Sequence, residues 1–70
     1  MTTEQHGSLI AESWINGQRK QAVEQFAEAQ FEGCAAKELL SEIKDFFSIS
    51  YDWEETCNQV IVFASAVIEV

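Results

Sequence analysis

Not one proline interrupts this chain, so only three glycines and a few short polar stretches are available to break a helix. Asn16-Gly17 is a strong break, because both residues tolerate the left-handed conformation that ends helices. Gly33, after Phe31-Glu32, is a second. Ser48-Ile49-Ser50-Tyr51, less helix-prone and followed by Asp52, is a third. Between these breaks lie four segments, and the spacing of apolar residues within them is helical. In the first, from about Glu4 to Ile15, His6, Ile10 and Trp14 share one face, with Leu9 and Ile15 beside it. In the second, from about Arg19 to Phe31, Val23, Phe26, Ala27 and Gln30 form the stripe. In the third, from about Ala35 to Phe47, Ala36, Leu39, Leu40, Ile43, Phe46 and Phe47 form an amphipathic pattern, with Lys37, Glu38, Glu42 and Asp45 outside it.

The last segment admits two readings. Asp52 and Glu55 have the form of an N-terminal capping pair, after which Trp53, Cys57, Val60, Ala64, Val67 and Ile68 fall on one helical face. The run Val60-Ile61-Val62-Phe63 also suits a strand, since β-branched residues favour sheets. No second strand is evident for it to pair with, so helix is preferred. The C-terminal half of that helix is apolar nearly all round, with Ile61, Val62, Phe63 and Val70 on the remaining faces, and must be buried on more than one side. A chain of 70 residues buries only roughly 60% of its unfolded surface and needs a staple. The expectation is one all-α domain spanning residues 1–70, a bundle of about four short helices. A homodimer through the C-terminal helix would use Val60, Ile61, Phe63, Val67 and Ile68.

Hydrophobic residues at 47% exclude a disordered chain, and no linker-like tract divides it. Twelve acids against four Lys and Arg give a net charge of −8, which argues against nucleic acid and anionic membranes as ligands. A helix–turn–helix around Asn16-Gly17 that read DNA would need a basic second helix, whereas this one carries Glu24, Glu28 and Glu32. The N-terminus lacks the basic start and apolar stretch of a signal peptide, and Val60–Val70 is too short to cross a bilayer, so a soluble intracellular protein is expected. Cys34 and Cys57 form no CxxC pair, and His6 is the single histidine, so both cysteines read as ordinary buried thiols. Nucleophilic catalysis would have to be built around His6, in an N-terminal turn prone to fraying. Gly7, Gly17 and Gly33 fit no phosphate loop, and no calcium loop is present. Neither an enzyme nor a metal or cofactor site is expected.

Surface charge and aromatics supply the remaining candidates. Glu24, Glu28 and Glu32 recur at i, i+4 and i+8, a like-charge arrangement that weakens an isolated helix slightly. One such stripe is ordinarily a solvated face, but Glu38, Glu42, Asp45, Asp52, Glu54 and Glu55 extend the same bias. Acidity at this level steers association towards basic patches on other proteins. Phe26, Phe46, Phe47 and Phe63 fit the core. Tyr51 and Trp53, at the third break and beside acids, are candidate exposed anchors, although the face of Trp53 also fits the core. The candidate partner-binding set is therefore Glu24, Glu28, Glu32, Tyr51 and Trp53.

Small, acidic, proline-free helical chains resemble accessory proteins by which temperate bacteriophages disarm host proteins. More narrowly, Leu9-Ile10-Ala11-Glu12-Ser13-Trp14-Ile15-Asn16-Gly17-Gln18-Arg19-Lys20 resembles the opening of the quorum-sensing anti-activators of Pseudomonas phages. The likeness covers mainly that segment. It implies a homodimer in the cytoplasm of a bacterial host that binds a LuxR-type transcription regulator and prevents DNA binding. The type IV pilus assembly ATPase is implied as a second target. The resemblance maps no binding residues onto this chain. The competing reading is a non-inhibitory helical dimerisation or adaptor module, and salt dependence separates the two: capture of a basic surface weakens as salt rises, whereas apolar burial does not weaken in that way.

Overall fold

The computed structural model describes residues 1–68, which form four α-helices in chain order: α1 (Thr3–Ile15), α2 (Arg19–Phe31), α3 (Ala36–Ser50) and α4 (Trp53–Ile68). No strand occurs among the described residues, so Val60–Phe63 is helical. Val70 lies outside the described residues.

The glycine breaks close two helices in the same way. Gly17 (φ 85°) and Gly33 (φ 103°) both adopt the left-handed conformation that glycine reaches without a Cβ penalty. Gln18 N–H then donates to the Ser13 carbonyl and Gly17 N–H to that of Trp14; Cys34 to Ala29 and Gly33 to Gln30 repeat the arrangement. These are two Schellman closures. The third break is narrower than its sequence suggests. α3 runs on to Ser50, and Ser48 Oγ donates to the Asp45 carbonyl at 2.6 Å, so this serine is accommodated inside the helix. Asp52 caps α4, its carboxylate accepting from Glu55 N–H at 2.8 Å, while the Glu55 side chain accepts from Gln59 instead of turning back to the cap.

α1 is the central element, packed against both α2 and α3, and α4 lies across α3 and more lightly across α2. The core takes Ile10, Ala11 and Trp14 from α1, Ala22, Phe26 and Ala29 from α2, Leu39, Ile43 and Phe47 from α3, and Phe63 from α4. Phe63 meets Trp14 edge-on at 5.1 Å and Phe26 at 5.4 Å, which ties α4 to the α1–α2 hairpin. Trp14 Nε1 donates to Gln59 Oε1 at 2.9 Å, so the indole is satisfied although buried.

Several expectations are corrected here. The buried face of α2 is Ala22, Phe26 and Ala29, not Val23, Phe26, Ala27 and Gln30, of which Ala27 and Gln30 are exposed. Alanine lets α2 approach α1 closely, and a reading weighted by side-chain bulk turns the helix towards Val23. Phe63 is fully buried in the core of its own chain, so it offers no surface to a second folded copy. Trp53 is 66% exposed and does not belong to the core. Glu42 is half-buried, because α1 crosses α3 at Gly7: a methyl group there would come within 2.6 Å of the Glu42 Cβ. His6 is not in a frayed turn. The Thr2 hydroxyl accepts from Gln5 N–H and the Gln5 side chain accepts from Thr2 N–H, a capping box that starts α1 firmly.

Candidate protein-binding surface

The three glutamates of α2 are all exposed, and each has different surroundings. Glu24 stands at the rim of an apolar groove of about 380 Å³ between α2 and α4, lined by Trp14, Val23, Val62 and Ala66 with Arg19 and Lys20 alongside. Glu28 borders a recess shared with Met1, His6, Leu9 and Gln25. Glu32 places Oε1 3.5 Å from His6 Nε2. That imidazole is buried and Nε2 makes no hydrogen bond.

Among the described residues, this is the one pairing of an acid with a basic group within 4 Å. The cations are placed elsewhere. Arg19 lies over the Trp14 ring at 4.7 Å and Lys44 over the Trp53 ring at 4.7 Å. Two of the four Lys and Arg side chains are thus held on indoles, and the carboxylate field is left largely uncompensated within the chain.

The aromatic pair divides. Tyr51 is half-buried, packed edge-on against Phe47 at 5.8 Å, which makes it part of the α3–α4 corner and not a free anchor. Trp53 keeps the exposure an anchor needs. The glutamate stripe sits on α2 and Trp53 at the start of α4, so the five residues read from the sequence belong to two regions and not to one site.

Cys34 packs beside the core with Thr3 Oγ1 donating to its sulfur at 3.7 Å, and Cys57 is a free half-buried thiol on α4. Among the described residues no helix is long and apolar enough to cross a membrane.

Sequence reasoning missed one surface feature and read another only in part. One is the α2–α4 groove, whose signal was the neighbouring Arg19 and Lys20 at the start of an otherwise acidic helix. The other is the outer face of α4, where Trp53, Ile61 and Ile68 are 66%, 64% and 82% exposed. Ile61 and Ile68 are legible in the sequence as interface and Trp53 as an anchor, but the line 53, 57, 61, 64, 68 that joins them is masked by the half-buried Val60 and the buried Phe63 next to it. Comparison with protein-family models, with curated proteins and with solved structures finds no match.

Proposed function

We propose that this chain is a non-catalytic acidic binding protein that covers a basic surface on another protein. The observation carrying the proposal is the uncompensated field: a net charge of −8 in which exposed carboxylates along α2 and α3 have no Lys or Arg partner among the described residues. A basic patch approaching α2 would meet Glu24, Glu28 and Glu32 in line. Proteins that grip DNA carry such patches. The resemblance of residues 9–20 to phage anti-activators narrows the target to a LuxR-type regulator, whose DNA would be displaced, with the type IV pilus assembly ATPase as a second target. The same reading has the protein act as a homodimer in the cytoplasm of a bacterial host.

The test is a mobility-shift competition using a purified LuxR-type regulator and its operator duplex. The wild-type protein should release the duplex in a salt-sensitive manner, and Glu24→Lys/Glu28→Lys should release it far less. A regulator that binds the wild-type protein yet keeps its DNA overturns the blocking mechanism. The adaptor reading gains from one observation, the uncovered apolar face of α4, and is favoured if no salt-sensitive partner is captured.

A further inference from the structure

At about 100° per residue, five apolar side chains of α4 fall on one strip of the helix, while Val62, 40% exposed, lies on the opposite side in the groove with α2. Trp53, Cys57, Ile61, Ala64 and Ile68 advance by four, four, three and four residues, the spacing of a helix–helix seam. Phe63 and Thr56 point the other way, into the core. Trp53, Ile61 and Ile68 are largely exposed, while Cys57 and Ala64 are half-buried. The seam runs the described length of the helix, about 22 Å. It contains no charged residue, although α4 carries Glu54 and Glu55 in its first turn.

Two properties identify the occupant. First, a chain of net charge −8 approaches its own copy where carboxylates are sparse: the seam residues include none, Glu54 borders only its first turn, and Lys44 lies over the Trp53 ring at 4.7 Å. Second, the order of residues reads nearly the same in both directions. Turned end for end about a point near Ile61, Trp53 falls opposite Ile68, Cys57 opposite Ala64, and Ile61 close to itself. That self-matching is what an isologous two-fold contact requires. A parallel pairing would instead bring the Glu54 and Glu55 carboxylates of both copies together. The antiparallel one separates them by about 20 Å, more than two Debye lengths of roughly 8 Å, and opposes the helix dipoles.

We propose that two copies of the chain pair antiparallel along α4 about a two-fold axis near Ile61, with Trp53 of each against Ile68 of the other and Cys57 of each against Ala64 of the other. The pairing specifies the homodimer of the proposed function, and it corrects the interface read from sequence. Ile61 and Ile68 remain in it, Phe63 leaves it for the core, and the half-buried Val60 and Val67 become its flank. Small side chains at 57 and 64 let the helices come close, with the larger residues filling the ends.

Disulfide trapping reads the geometry directly. In a Cys34→Ser background, Ala64→Cys adds a thiol two turns from Cys57, too far along one helix for a bridge within the chain. Mild oxidation should give a covalent dimer whose peptide map shows position 57 of one copy linked to position 64 of the other, and Cys57→Ser should abolish it. Links of 57 to 57 and 64 to 64 would show a parallel pairing and overturn the proposal. No covalent dimer, together with a wild-type protein that sediments as a monomer at about 100 μM, would overturn it also. Ile61→Glu alters an exposed position and should yield a folded monomer by sedimentation with an unchanged helical spectrum. A wild-type protein that is monomeric and still displaces operator DNA would refute the pairing and leave the acidic reading standing; a trapped dimer that leaves DNA in place would do the reverse.

Discussion

Gly7 shows how much one residue decides in a chain this small. Glycine inside a helix costs up to about 1 kcal/mol relative to alanine, so on propensity alone Gly7→Ala should stabilise α1. The crossing with α3 reverses the sign. The added methyl would press on the Glu42 Cβ, which is close to the backbone and cannot swing aside, so the helices must separate. Gly7→Ala is expected to destabilise by about 1–3 kcal/mol, read as a fall in melting temperature by circular dichroism. A melting temperature equal to or above wild type would show that the crossing is looser than described. Phe63 is the opposite case, a large side chain whose loss opens a cavity between Trp14 and Phe26. Phe63→Ala should cost about 3–5 kcal/mol, and Phe63→Asp, which buries an unpaired charge, should prevent folding. The aromatic bulk of Phe63 on an apolar helix suits the core and a dimer interface alike, and its packing on Trp14 and Phe26 decides for the core. The role of Gly7 was not readable, because an approach between two helices leaves no mark in the spacing of either one.

The helices themselves were readable where punctuation and periodicity agreed. Gly17 and Gly33 ended α1 and α2 through their left-handed geometry, and Leu39, Ile43 and Phe47 repeat every four residues along the buried line of α3. α2 was misread by rotation, since its contact with α1 is made by Ala22 and Ala29, small residues that carry little hydrophobic weight in a pattern. α4 depends on its cap. Asp52→Ala removes the acceptor for Glu55 N–H and should cost about 1 kcal/mol, with faster hydrogen exchange confined to the first turn of α4. Unchanged exchange at Glu55 would mean that the packing of Thr56 alone sets the helix start. On α2, Glu28→Lys replaces two like-charge neighbours at i±4 by attractive ones, so thermal stability should hold or rise slightly. A clear loss of stability would show that Glu28 is held by contacts within the fold and is not a free acid.

At the scale of the whole molecule, the chain sorts its surface by charge. The exposed acids of α2 and α3 have no Lys or Arg partners among the described residues, two cations are held over Trp14 and Trp53, and the line Cys57, Ile61, Ala64 and Ile68 on α4 holds no charged residue. Composition announced the acidity, but only the fold shows that the cations lie on indoles and leave the field uncompensated. Steered association of opposite charges is fast at low salt and falls steeply as ionic strength rises, whereas contacts made by apolar burial change little. The most direct test of the acidic-capture account is the association rate with a purified LuxR-type regulator, measured by stopped flow from low to high salt for wild type and for Glu24→Lys/Glu28→Lys. The account predicts a wild-type rate that falls roughly tenfold or more across the range, and a double variant that starts slower and varies less. Rates for the two proteins that coincide and stay flat with salt would contradict it.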